Sequence, residues 1–476
     1  MDKFYITTSI AYTNAKPHIG FALELLQADV LARYRRRKGL RVHFLTGTDE
    51  HGSKIARAAE KEEKEVQEFV DELSEEFKRL TKDLNISNDD FIRTTDKSRH
   101  WPGVNLLWKK IEEAGDIYKK SYKGLYCSGC EVFKREKDLV EGKCPDHGKE
   151  PEKVEEENYF FRLSRYSEEI RKLIEKDKIK VIPENRKKEI INFLKEGLED
   201  ISVSRSRENL EWGIPVPGDD SQILYVWLDA LTNYISAVGY GRDDKTFKDW
   251  WPAEFHCVGK DILRFHAIIW IGMLLSAKIE LPRNILVHGH ITCEGKKMSK
   301  SLGNVVDPLE LIKEHGTDPV RYYLLKEIPT TGDGDFSLKR FMERYNADLA
   351  DGVGNLLSRT IALSKKQGVI PGKASERIEK MIREKRAEYE KRMEKCKLND
   401  ALEVVWEVVH FADGYIEEKK PWKKGDKSED TIEDLLFILL FLSETLSPFL
   451  PESSEEIKKG VERGEKRTLF PKIKRS

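Results

Sequence analysis

The hydrophobic positions change period along the first sixty residues. FYITTSIAY is apolar and β-branched and predicts a strand. HIGFALELLQADVLARYRRRKG then carries apolar residues at helical spacing and stops at Gly39. RVHFLTGTDEHG follows as a second strand and loop. Strand, helix and strand in that order predict a parallel sheet with a right-handed crossover. Ligands on such sheets sit at the carboxyl ends of the strands, where AYTNAKPHIG and TGTDEHG fall. Residues 61–115 read as helical and heavily charged. Gly, Cys and Pro recur over 116–165, which marks a small inserted domain. The α/β pattern returns near residue 200 and runs to about 290, where ILVHGHITCEGKKMSKSLG predicts a strand and a Gly- and Lys-rich loop. From about residue 340 the pattern is nearly all helix. The Lys/Glu-rich stretch 374–398 has i,i+4 charge pairing and reads as an exposed helix. The expected organisation is an α/β domain in two halves, 1–115 and 201–290, interrupted by an insertion at 116–200. A loop region, 291–345, and an all-α helix-bundle domain, 346–476, follow.

Length and composition narrow this picture. A chain of 476 residues is too long for one ordinary core. The most apolar runs, Phe265–Leu275 and Leu435–Leu442, are shorter than the ~20 residues of a membrane span and read as core helices. No basic segment followed by an apolar one opens the chain, so a cytoplasmic protein with no membrane partner is expected. Net charge is −1, so any nucleic-acid binding must use local basic patches. Charged residues make up 36%, mostly Lys and Glu, a bias of hyperthermophile surfaces that says nothing about function.

Six cysteines in so long a chain do not form a disulfide scaffold, and three of them cluster. Cys127-x2-Cys130 is followed after thirteen residues by Cys144-x2-His147. Two half-sites at this spacing point to one tetrahedral, structural Zn2+, because four protein ligands leave no open position. The alternative, buried reduced cysteines, does not explain why all four ligands come in pairs.

Two further motifs carry charge chemistry. Pro17-His18-Ile19-Gly20-Phe21 opens the first helix, whose free N–H groups and positive dipole end suit a phosphate. Taken alone, the plainer reading is a Pro-started helix capped by His18. Lys297-Met298-Ser299-Lys300-Ser301 sits between Gly295 and Gly303, where two lysines on a loop can embrace a triphosphate. An exposed basic loop is the plainer reading here, but the two motifs about 280 residues apart in an α/β chain are specific as a pair.

With HIG(H) and KMSKS the chain resembles the class I aminoacyl-tRNA synthetases, and by further segments their methionyl branch. The resemblance implies a Rossmann-like catalytic sheet, a zinc knuckle in the connective insertion, a stem-contact region within 291–345 and a helical anticodon-binding domain. It implies that His18 and Gly20 bind ATP, and that Lys297 and Lys300 steady the phosphates with Mg2+ as pyrophosphate leaves. Phe21 replaces the second signature His, and can pack on the adenine in place of that contact. The methionine-binding positions of the family fall on Ser9, Ile10 and Tyr12, on Trp227, Ala230, Leu231 and Tyr234, and on Ile262 and His266. Asp49 and Arg205 would hold the amino-acid end. For each aromatic, ordinary core is the plainer reading, and the agreement of four segments is what decides. Asn355, Arg359 and Trp422 fall on the residues that read the CAU anticodon, with Trp422 among lysines where an unpaired base can stack. The implied activity is ATP-dependent ligation of L-methionine to tRNA(Met), by a monomer. A different class I synthetase, a non-catalytic tRNA-binding paralogue and a nucleotidylyltransferase are the alternatives.

Overall fold

The β-branched run at the start forms the strand Lys3–Thr8, and its alternation is lost because both faces are covered: Phe4, Tyr5, Ile6, Thr7 and Thr8 are all buried. The computed structural model describes residues 2–127, 132–134, 136–145, 148–298, 303–423, 428–465 and 468–473. They form two compact units, one of Met1–Pro17, Arg41–Arg79 and Asn88–Val287, the other of His18–Leu40, Leu80–Ser87 and His288–Ser476.

The first unit holds a seven-stranded sheet. Its order is Ala11–Tyr12, Arg41–Asp49, Lys3–Thr8, Phe255–Gly259, Asn284–His288 and Lys180–Ile182, with Asp90–Arg93 also paired to Arg41–Asp49. Lys3–Thr8 runs parallel to both neighbours, with Lys3 opposite Arg41 and Ile6 opposite Phe255. The expected parallel sheet is therefore present. FYITTSIAY is two strands rather than one. The chain leaves its place after Thr8, crosses the end of Arg41–Asp49, and pairs Ala11 and Tyr12 with Thr48 and Asp49 on the far side. Ser9 and Ile10 form the crossing, at the carboxyl end of the sheet. Within the stretch read only as helical, Asp90–Arg93 is a strand; four residues are too few for a periodicity to show. Lys180–Ile182, from within 116–200, pairs with Asn284–Leu286 in the main sheet. The rest of that stretch carries an antiparallel sheet of Ile117–Cys127, Val132–Lys134 and Glu152–Phe161, joined by Ile201–Ser202.

The apolar core of this unit runs from Tyr5 and Leu45 through Trp108, Tyr234 and Trp270 to Val287. Two of its helices, Trp101–Glu113 and Val226–Ser236, approach closely. A Cβ on Gly103 would stand 2.8 Å from the Cβ of Ser236, so only glycine allows the approach.

The second unit is mainly helical. Ile19–Arg37 is buried almost all round, and its buried polar side chains are matched. Asp29 accepts from Arg33 Nε at 2.8 Å, from Arg321 at 2.7 Å and from both the N–H and the hydroxyl of Ser87. Arg321 is fully buried and also donates to the Phe449 carbonyl at 2.7 Å. The basic run at the helix end is not a free patch: Arg35 pairs with Glu394, Arg37 with Glu444 and Lys38 with Glu390. Ile291–Cys293 and Lys296–Lys297 form a hairpin. Asn355–Gln367, Glu376–Glu394, Leu398–Lys419, Ser428–Leu446 and Pro451–Arg463 make up the later helices. No helix among the described residues is long and apolar enough to cross a membrane.

Candidate active site

In the first unit, three neighbouring strands end where the candidate methionine residues begin. Thr8 leads into Ser9 and Ile10, the second strand ends at Asp49, and Gly259 leads into a short turn at Lys260–Ile262. Ser9 N–H donates to the Cys257 carbonyl at 3.0 Å. The Asp49 carbonyl accepts from the backbone and the hydroxyl of Thr13, at 3.0 and 3.1 Å. Ile10, Trp227, Leu231, Tyr234 and Ile262 belong to one apolar cluster, in which Trp227 stacks on Phe265 with centroids 3.6 Å apart. Tyr12 packs, as does Trp212, against a separate cluster of Ile55, Ala59, Phe69, Val70 and Leu73. Ala230 is buried on the same helix as Trp227. Arg205 lies in the strand Ser204–Ser206, its guanidinium 3.9 Å from the Tyr126 ring.

Tyr234 and His266 form a polar point inside the apolar cluster. The Tyr234 hydroxyl lies 2.6 Å from His266 Nε2, and His266 Nδ1 lies 2.9 Å from the Ile262 carbonyl. A carbonyl only accepts, so Nδ1 carries the proton, Nε2 accepts, and the tyrosine donates. Burial pushes the His266 imidazole down to about 4, against the smaller opposing pull of the Ile262 carbonyl and Asp261. The ring is thus neutral at physiological pH. Behind it, His256 meets the Thr7 hydroxyl at 2.8 Å, and burial holds its imidazole well below the ordinary value.

The loop after Asp49 is anchored by groups that sequence reasoning missed. Buried Glu50 accepts from Arg93 at 2.7 and 3.0 Å, from the Thr48 hydroxyl at 2.6 Å and from Thr95. Its carbonyl accepts from the Trp212 indole at 2.5 Å. His51 Nδ1 lies 2.6 Å from one oxygen of Asp229, and His100 Nε2 lies 2.7 Å from the other. Burial pushes the Asp229 carboxyl up, but the two imidazoles outweigh it and hold it below the usual range. A carboxylate at the centre of the apolar stretch VWLDALTNY was the available signal, since a buried acid implies a partner.

The two signature motifs lie in the second unit. His18 caps the helix, its Nδ1 accepting from Gly20 N–H at 3.1 Å. The plainer reading of that motif is therefore met. A Cβ on Gly20 would stand 2.9 Å from His18 Cε1, which ties the glycine to the cap. Ile19 N–H donates to the Val306 carbonyl at 3.3 Å, bringing the helix start beside the segment that follows the lysine loop. Lys297 is exposed at the end of the hairpin, where its carbonyl accepts from Asn304 at 3.2 Å. Phe21 is half-buried on the first turn. Lys300 lies outside the described residues.

Asn355 and Arg359 stand one turn apart on one helix. Arg359 reaches Glu417 at 2.6 Å and lies 5.8 Å from the ring of Trp422, which is 40% exposed. The Pro421 carbonyl accepts from Gln367 at 2.6 Å and holds that turn. Of the four expected zinc ligands, Cys127 and Cys144 are buried and form no disulfide, while Cys130 and His147 lie outside the described residues. Among the described residues no group of three or more His, Cys, Asp or Glu gathers as a metal site.

Residues 4–151 and 136–361 match the family of tRNA synthetases class I (M), and residues 376–474 match the anticodon-binding domain of tRNA ligase. The chain belongs to the class I tRNA synthetases (M). The methionine–tRNA ligase of Thermotoga maritima is 46% identical over 434 residues, covering 89% of this chain and 68% of the relative. That of Caldanaerobacter subterraneus is 47% identical, covering 88% and 66%, so the chain spans about two thirds of these relatives. The Brucella melitensis enzyme is 43% identical and is covered over 83% of its length. Among solved structures, a Mycobacterium tuberculosis methionyl-tRNA synthetase in complex with methionyl-adenylate superposes with a TM-score of 0.92, at 37% identity. The match covers 96% of this chain and 94% of that one. The α/β unit with its parallel sheet and the late helices were foreseen from the pattern, and the anticodon-binding domain from the resemblance.

Proposed function

We propose that this synthetase ligates L-methionine to tRNA(Met) at the expense of ATP, through a methionyl-adenylate. One observation carries the reading: the Tyr234–His266 pair is a neutral polar point enclosed by rings, beside strand ends that bear Asp49. A thioether is soft and apolar and suits aromatic neighbours. A charged imidazole there would repel it in favour of an anion. Ser9, Ile10, Tyr12, Trp227, Ala230, Leu231 and Ile262 line the side chain, while Asp49 and Arg205 hold the amino-acid end.

The methionine carboxylate attacks the α-phosphate of ATP, forming the adenylate and releasing pyrophosphate. This chemistry depends on positioning and charge neutralisation. His18 donates to the phosphates, Gly20 and Phe21 face the nucleoside, and Lys297 and Lys300 neutralise the departing pyrophosphate, which carries Mg2+ with the nucleotide. A ribose hydroxyl of the tRNA 3′ end, the 2′-OH, then attacks the adenylate carbonyl and AMP leaves. Asn355, Arg359 and Trp422 read the anticodon, and 291–345 contacts the stem. Trp422 offers an exposed ring and Arg359 a charge beside it, a pairing suited to an unpaired base.

Cys127, Cys130, Cys144 and His147 would hold one structural Zn2+, which supplies a cross-link and no reactive position. Two buried, reduced thiols fit this donor set. Metal analysis of the purified chain should find one zinc, lost in Cys130→Ser. The protein is read as a cytoplasmic monomer.

ATP–pyrophosphate exchange, run with each amino acid in the absence of tRNA, tests the function. Exchange with methionine alone is expected. Exchange with none, in zinc-loaded protein, would overturn the reading.

A further inference from the structure

The buried group His51–Asp229–His100 lies outside the residues that the mechanism uses. Asp229 is 1% exposed, His51 3% and His100 0%. The carboxylate accepts from both rings, at 2.6 and 2.7 Å. Both oxygens of the carboxylate are therefore partnered. His100 Nδ1 continues to the Ser236 hydroxyl at 2.8 Å. The close helix approach at Gly103 brings His100, which precedes that helix, within reach of Ser236.

His51 and Asp229 come from the two walls that would grip opposite ends of the substrate, and His100 precedes the helix packed against the second. His51 lies two positions after Asp49, the amino-group contact. Asp229 and Ser236 lie on Val226–Ser236, the helix that carries Trp227, Ala230, Leu231 and Tyr234, the side-chain contacts. Tyr5 holds the far end of that helix through the Tyr234 carbonyl at 2.7 Å. Near its start, the buried link to the strand-end loop runs through Asp229.

We propose that Asp229, clamped by His51 and His100, is a positioning residue that sets the spacing between Asp49 and the thioether-binding helix, and thereby the length of side chain the site accepts. The inference rests on the methionine reading of the pocket. A hydrophobic pocket separates homologues by only ~1–3 kcal/mol per methylene, so even that discrimination needs walls that do not spread. Two charge-assisted hydrogen bonds to a buried carboxylate provide such a restraint. In Asp229→Asn the new amide nitrogen cannot accept, so one ring N–H loses its partner and the walls part.

The test is exchange kinetics with methionine and with ethionine, its S-ethyl homologue, in wild type, Asp229→Asn and His51→Asn, with thermal unfolding alongside. Both variants are expected to lose on the order of tenfold in kcat/KM for methionine, with KM for ATP changed by less than about twofold. The methionine-to-ethionine ratio of kcat/KM is expected to fall by about threefold or more, because the longer side chain loses less. A ratio unchanged from wild type overturns the proposal, whatever happens to Tm or to methionine turnover alone. If Asp229→Asn does not fold, His51→Asn and the milder Ser236→Ala carry the same comparison. Failure of the underlying reading would look different: wild-type exchange would not depend on methionine, or Asp49→Asn would leave its KM unchanged.

Discussion

Acidification should destabilise the first unit through His266, by an amount that can be isolated. Its imidazole ordinarily titrates at 6.5, and burial pushes it down to about 4 in the folded protein. Between these values the unfolded chain binds a proton that the folded chain refuses. Stability therefore rises with pH through that window, is complete above about 6.5, and is lost as pH falls towards 4. At about pH 5 the expected loss from this ring is ~2 kcal/mol relative to about pH 7.5. The perturbation is His266→Gln, which puts a non-titrating amide in its place. Urea unfolding followed by tryptophan fluorescence suits the assay, since Trp227, Trp251 and Trp270 all lie in this core or pack on it. Asp229 titrates in both proteins and cancels in the difference, as does the larger, burial part of the His256 shift. The fall in unfolding free energy between the two pH values should be ~2 kcal/mol larger in wild type than in the variant. An equal fall in the two would refute the neutral, buried imidazole, and with it the argument that the site excludes charge around the thioether.

Three further outcomes are expected. Glu50→Gln removes one of the two carboxylates that hold Arg93, Asp71 remaining, and should cost about 1–2 kcal/mol of stability, read as a lower denaturant midpoint. Gly20→Ala forces a Cβ against His18, so the helix should lose roughly 1 kcal/mol of capping, and pyrophosphate exchange should fall while KM for methionine stays constant. Trp422→Ala removes an exposed stacking surface. It should weaken tRNA charging by about 10- to 100-fold, with exchange in the absence of tRNA unchanged; equal loss in both assays would place Trp422 in the structural core instead.

Much of the architecture was legible because it is local. The switch from a β-branched run to a 3.6-residue period and back marks a βαβ unit wherever it occurs, and the parallel pairing of Lys3–Thr8 with Arg41–Asp49 follows. The long apolar periodicities of the last third could only be helices. The family resemblance then named the side chains expected to touch substrate, and Trp227, Leu231, Tyr234 and Ile262 do lie in one cluster. Short or compensated features escaped. Asp90–Arg93 is too brief to declare a period, and the run Arg35–Lys38 reads equally as a basic patch or an exposed helix end until Glu390, Glu394 and Glu444 arrive to neutralise it.

By itself the sequence determined which of the longer segments are strands and helices, because side-chain periodicity reports the face that must be buried, and that is settled within one or two turns or a few strand residues. It also carried the family resemblance, because the two signature motifs are each contiguous. Only the tertiary structure decided what supports the site. His51 and Asp229 are 178 positions apart and His100 and Asp229 are 129 apart, and nothing local in either segment specifies the other. Their meeting follows from strand order and from one close helix approach, where a buried carboxylate had to find donors or go unpaired.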